Sequence, residues 1–155
     1  MEDGVTIITS EIEINASKEK IWHVLKLIGE IDKFHPLVKK SNAISTIKSG
    51  IGAKRHCELL PMGEMVEEAV EWIEGKSFVL EVKNGKMLPP YHFMKGKMDL
   101  IESGEQTKVL FSFSYRLKYG ILGRLMNALL IRPQFKKAPP KYVSGLKEYV
   151  EGLDN

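Results

Sequence analysis

The chain has 155 residues, 43% apolar and 28% charged, with a net charge of +3. It is long enough to bury a core as a single domain over residues 1–155, and too apolar for a disordered chain. One cysteine, Cys57, excludes an internal disulfide framework and a four-thiolate zinc site, and no run approaches the roughly 18 apolar residues of a membrane span. The acidic start, Met1-Glu2-Asp3-Gly4, is wrong for a signal or transit peptide, so a cytoplasmic protein is expected.

From Thr6 to Ile14, Ile8, Ile12 and Ile14 alternate with Thr9, Glu11 and Glu13, the pattern of a half-buried strand. Ser17 is a good N-cap, and Ile21, Trp22, Val24, Leu25 and Ile28 form the stripe of a first helix that Gly29 ends. A second short helix is expected over about Glu30 to Phe34, before Pro36. Six strands follow, punctuated by turns: Ser41–Lys48, Ala53–Leu60, Glu64–Ile73, then strands centred on Leu80, on Met94 to Leu100, and on Phe111 to Tyr115. Their short connections favour antiparallel hairpins. Leu122, Leu125, Met126, Leu129 and Leu130 recur at helical spacing, with Pro133 and Pro139-Pro140 as interruptions before Tyr142, Val143, Leu146 and Val150 resume the stripe.

Charge is unevenly spread. Between Gln106 and Lys147 there are nine basic residues and no acidic one, leaving 14 basic residues against 20 acidic in the rest. A cationic face of this kind suits an anionic partner, or simply faces water.

Three stretches carry a family resemblance: Ile14-Asn15-Ala16-Ser17-Lys18-Glu19-Lys20-Ile21-Trp22, Val66-Glu67-Glu68-Ala69-Val70-Glu71-Trp72, and Gly120-Ile121-Leu122-Gly123-Arg124-Leu125. In these the chain resembles the START-like superfamily, which includes polyketide cyclase/dehydrase-type proteins, plant pathogenesis-related allergens and lipid-transfer domains. The resemblance implies an α+β helix-grip fold, a curved seven-stranded antiparallel sheet in the order β-α-α-β6-α, wrapped around a long C-terminal helix with a cavity between them. The chain departs from that pattern at Pro139-Pro140, where the last helix normally runs unbroken.

Alternation assigns the faces. Val66, Glu68, Val70 and Trp72 are expected inward, with Phe78, Leu80 and Val82, with His92, Met94, Met98 and Leu100, and with Val109, Phe111, Phe113 and Tyr115. Leu125 and Leu129 would close the wall from the helix. An apolar wall with a few polar groups is the usual make-up of a small-molecule site, here of about 300–1,000 Å³. Glu68 would need a partner if buried, and Arg55 on the preceding strand is the candidate, as a ligand anchor or a structural ion pair.

The leading expectation is binding of a hydrophobic small molecule, such as a lipid, isoprenoid, quinone or polyketide, with no cofactor and no metal. One alternative is a cyclase/dehydratase-like enzyme using His92, Tyr115 or the Arg55–Glu68 pair for proton transfer. A second is an interaction domain using the basic C-terminal surface. Arg124, Lys136, Lys137, Lys141 and Lys147 would give transient contact with an anionic membrane, without sequence-specific nucleic-acid binding.

Overall fold

The computed structural model describes residues 4–153, so the acidic start at Met1 to Asp3 lies outside the described residues. Strand β1 (Val5–Ile14) leads into helix α1 (Lys18–Leu25), whose Lys20 N–H donates to the Ser17 hydroxyl at 3.2 Å, the expected cap. A 3₁₀ segment (Ile28–Lys33) stands where the second helix was expected. Strands β2 (Val38–Ala43), β3 (Lys54–Leu59), β4 (Glu64–Ile73), β5 (Ser77–Lys86), β6 (Tyr91–Ser103) and β7 (Gln106–Leu117) complete one seven-stranded antiparallel sheet, in the spatial order β1-β7-β6-β5-β4-β3-β2. The second strand lies earlier than the Ser41–Lys48 expected, because Ser41 is tied back across the 3₁₀ segment. Its hydroxyl donates to the Gly29 carbonyl at 2.7 Å and accepts from the Asp32 N–H at 3.1 Å.

The C-terminal part is broken twice. Helix α2 (Gly120–Met126) runs through a π-helical turn (Asn127–Ile131) into the short α3 (Arg132–Phe135), and α4 (Ala138–Gly152) follows. Pro139-Pro140 do not interrupt the last helix; they open it, in the first turn where missing N–H donors leave no bond unmade. Helix α4 is the gripped element. Tyr142, Val143, Leu146 and Val150 are buried against Ile14, Ile21, Leu25 and Val109 in the main core. Gly145 permits this approach, since a Cβ there would lie 2.1 Å from the Phe34 carbonyl oxygen. The architecture is the seven-stranded curved sheet and C-terminal helix of the helix-grip fold.

Two irregularities reset the alternation on β4 and β6. Opposite β5, Ala69 pairs with Leu80 and Glu71 with Val79, so Val70 is an extra residue. Before it, the odd positions Glu67 and Ala69 face the core; after it, Trp72 does. On β6 the register shifts between Tyr91 and Phe93, which leaves His92 as the bulged residue.

Candidate functional site

The concave face of the sheet carries two apolar clusters, with Met65 packed against both. In the first, the rings of Trp22, Trp72 and Phe78 pack together, Trp22 to Trp72 edge-on at 5.3 Å and Trp72 to Phe78 stacked at 5.4 Å. Both indole N–H groups donate to one carboxylate, Trp22 to Glu74 Oε1 and Trp72 to Oε2, each at 2.8 Å. These bonds, that from Trp72 foremost, hold the Glu74 carboxyl below its usual range. Leu80, Met98, Leu100 and Phe111 continue this cluster, with the Phe111 ring 4.8 Å from that of Tyr142 on α4.

Beneath α4 the same cluster encloses a polar knot. Arg55 donates through Nε at 2.9 Å and Nη2 at 2.8 Å to Glu67 Oε1, and through Nη1 to the Ile28 carbonyl at 3.0 Å. Both partners are buried. Burial pulls the Arg55 guanidinium down, but Glu67 foremost, with Cys57 and Tyr142, raises it by more and keeps the charge. The expected partner, Glu68, is corrected to Glu67. Cys57 pairs with Met65 and Arg55 with Glu67, and the Val70 bulge means that counting inward positions back from Trp72 selects the wrong glutamate. Glu68 instead lies on the other face, 4.0 Å from Lys83, and Val66 and Val70 leave the inward set with it. His35 packs on the knot from outside. Its ring is 4.8 Å from that of Tyr142, Nδ1 accepts from the Leu37 N–H at 3.1 Å, and burial, with Arg55 nearby, lowers its pKa to about 4. Burial pushes the Tyr142 phenol up to about 12 and the Cys57 thiol likewise to about 12.

The second cluster lies at the other end of the sheet. Val82, Met94 and Tyr115 are buried there, with Ile8, Leu88, Tyr91, Phe113 and Leu117 packed against them from the sheet and its loops. Its cover is the α2–α3 segment, which contributes Ile131 and Phe135; the Phe135 ring meets Phe113 edge-on at 5.7 Å and Tyr115 at 5.2 Å. One polar latch fixes the cover. Asn127 accepts from the Tyr115 hydroxyl at 2.5 Å and donates to the Thr6 hydroxyl at 2.9 Å. Gly123 completes the seat, because a Cβ there would lie 2.0 Å from the Lys118 carbonyl oxygen.

That latch overturns the expected rotation of the segment. Gly123, Asn127, Ile131 and Phe135 face the sheet, while Leu125 and Leu129, expected inward, face out together with Leu122; Leu125 and Leu129 are 55% and 67% exposed. A lone Asn in an apolar stripe was the sequence signal for this, since its amide must find partners. His92 is also corrected, being exposed on its bulge rather than inward. The other expected wall residues, Trp72, Phe78, Leu80, Met94, Met98, Phe111, Phe113 and Tyr115, do face inward, but divided between the two clusters and packed on one another. Two clefts lie elsewhere: one of about 330 Å³ beside α2, lined by Thr6, His92, Arg116, Arg124 and Asn127 among others, and one of about 390 Å³ between the 3₁₀ segment and α4. Among the described residues no three His, Cys, Asp or Glu side chains gather as metal ligands would, and no helix is long and apolar enough to cross a membrane.

The profile of a family described as "Polyketide cyclase / dehydrase and lipid transport" matches residues 5–151. Among solved structures, the protein TTHA0849 from Thermus thermophilus superposes with a TM-score of 0.79 at 18% identity, covering 97% of this chain and 100% of that one. Ara h 8.0201 gives 0.73 at 14% identity, covering 98% and 100%. A START superfamily protein from Mycobacterium smegmatis gives 0.70 at 13%, covering 95% and 98%. At these identities the likeness is one of fold. A comparison with curated proteins finds no match.

Proposed function

We propose that this chain, which belongs to the polyketide cyclase/dehydrase and lipid transport family, is a cytoplasmic carrier or sensor that binds a hydrophobic small molecule at its second apolar cluster. The observation that carries this reading is the division of the concave face. Helix α4 fills one half, and Arg55, Glu67 and Tyr142 lock it there. The other half, walled by Met94, Phe113 and Tyr115, is covered by a broken segment held through Asn127 and two side chains, Ile131 and Phe135. Displacing those two side chains opens an apolar space lined by a phenol and an amide, the make-up of a site for a lipid, isoprenoid, quinone or polyketide. Met94 and Leu88 suit it to loosely shaped ligands. A carrier of such a molecule meets a bilayer when it loads or unloads, and the exposed Lys118, Arg132, Lys136, Lys137 and Lys141 supply charge for an anionic surface, whereas Lys147 is held by Glu151.

Native mass spectrometry of the gently purified chain tests the reading, with displacement of a fluorescent fatty acid as the second measurement. The expected result is a bound apolar species, released in Phe113→Asp but retained in Glu68→Ala, which alters the opposite face of the sheet. Absence of any bound species together with no uptake of the fluorescent fatty acid would sink it.

A further inference from the structure

The α2–α3 segment presents to water what a helix normally hides. Ile121 is 83% exposed, and Leu122, Leu125, Leu129 and Leu130 are each at least 55% exposed, all on the side turned away from the sheet. Five large aliphatic side chains on one short helical stretch make a contiguous apolar face, which soluble surfaces seldom carry without an occupant. At the base of this face lies the cleft of about 330 Å³, lined by Arg116, Arg124 and His92 beside the backbone of Gly120 and Gly123. Within it the Arg116 Nε–H is shielded from solvent and has no hydrogen-bond partner among the described residues, a donor that an anion would satisfy. Lys118, Arg132, Lys136 and Lys137 flank the face, and all four are exposed.

From this arrangement we propose that the α2–α3 segment is a membrane-docking element, whose outward leucines enter the headgroup boundary of an anionic bilayer while the cleft at Arg116 receives a lipid phosphate. The inference deepens the carrier reading above. An apolar face ringed by cations is the pattern of interfacial helices, where buried apolar area and attraction to anionic lipid add. Charge also decides against the main rival occupant. In a two-fold dimer formed through this face, each copy would set Lys118, Arg132, Lys136 and Lys137 against the same four cations of the other, since isologous contacts pair a patch with itself. The geometry places the docking face directly over the second apolar cluster, because the same helical turns that turn Leu125 and Leu129 outward turn Ile131 and Phe135 inward. Lipid that draws the leucines outward strains the Asn127 latch, so docking and opening become one movement.

The test is co-sedimentation with vesicles of phosphatidylcholine alone or with about 30% phosphatidylglycerol, at low and high salt. The expected result is binding to the anionic vesicles at low salt that weakens with salt. The exposed pair Leu125→Ser with Leu129→Ser should reduce it at least about tenfold, and Arg116→Ala about fivefold, the share of one basic residue near such a surface. Lys39→Ala with Lys40→Ala, on the far edge strand, should leave it close to unchanged. Equal binding to both vesicle types, no binding at low salt, or binding indifferent to the leucine pair would each overturn the proposal. So would a dimer in sedimentation equilibrium that the leucine pair converts to monomer. A chain that ignores vesicles but still retains a bound apolar species leaves the carrier reading standing and refutes this one; vesicle binding with neither a bound species nor uptake of the fluorescent fatty acid does the reverse.

Discussion

Acidification should unlock the polar knot through His35, in a pH window that the structure sets. Its Nδ1 accepts from the Leu37 N–H, which leaves the neutral ring's proton on Nε2. Protonating Nδ1 would remove that acceptor and place a cation beside the buried Arg55. Burial first, and Arg55 second, therefore lower the pKa from an ordinary 6.5 to about 4. The unfolded chain takes up its proton as pH falls through 6.5, whereas the folded chain resists until about pH 4. Between those limits the unfolded state holds more protons, so stability falls with falling pH; above the window it is full, and below it the loss is complete. At about 1.4 kcal/mol per pH unit, the gap amounts to about 3 kcal/mol. The perturbation is His35→Asn, whose amide oxygen can keep an acceptor near the Nδ1 position without titrating. Urea unfolding at several pH values from 7.5 to 4, taken as the difference between chain and variant, cancels the common contribution of the carboxylates. The variant should be the less stable at pH 7.5, having lost the ring contact with Tyr142, and the gap should close by about 3 kcal/mol by pH 4. A gap that does not change with pH would mean that His35 titrates like an exposed imidazole and that the packing on Tyr142 is wrong.

Two further outcomes follow from the same knot. Glu67→Ala should cost about 3–5 kcal/mol in urea unfolding because it strands the buried Arg55 charge, whereas Glu68→Ala, which loses only a half-exposed contact with Lys83, should cost less than about 1 kcal/mol; equal costs would return the pairing to Glu68. The Cys57 thiol, fully buried and pushed up to about 12, should react with a disulfide reagent only as fast as the chain opens, and become fully reactive in denaturant. Rapid native labelling would contradict its burial.

Element order and type were legible because each strand carries its own alternation and each helix its own stripe. What was not legible were the phases. Val70 reads as one more apolar position in a regular strand, yet as the bulged residue it moves the inward carboxylate from Glu68 to Glu67, and nothing local to the sequence distinguishes those two. His92 alternates correctly with Met94 until the shift opposite Leu117 and Arg116 turns it out. Helix rotation failed for a different reason. Leu122, Leu125 and Leu129 define the more hydrophobic stripe, but rotation is decided by which face can approach the sheet. Only the Gly123 face clears the Lys118 carbonyl, and only that face gives Asn127 its two partners. Proline position behaved similarly. Pro139-Pro140 mark a helix boundary in either reading, and the neighbouring Ala138 and the burial of Tyr142 decide that it is a beginning.

The unequal treatment of the two C-terminal segments is itself informative. Helix α4 buries Tyr142, Val143, Leu146 and Val150 and touches water with Lys141, Ser144 and Glu148, the division expected of an element that holds a fold together. The α2–α3 segment inverts that division. Burying five large aliphatic side chains would contribute about 1.5–3 kcal/mol each, a sum comparable with the whole stability of an ordinary domain, and the segment forgoes it. Asn127, Ile131 and Phe135 attach it to Thr6, Tyr115 and the second cluster, and none of the three belongs to the Arg55–Glu67 knot or the Trp22–Trp72–Phe78 cluster. Local opening of such an element is far less costly than global unfolding. The fold thus separates the half of the grip that must stay closed from the half that can release, and it places the outward Leu122, Leu125, Leu129 and Leu130 on the half that can release.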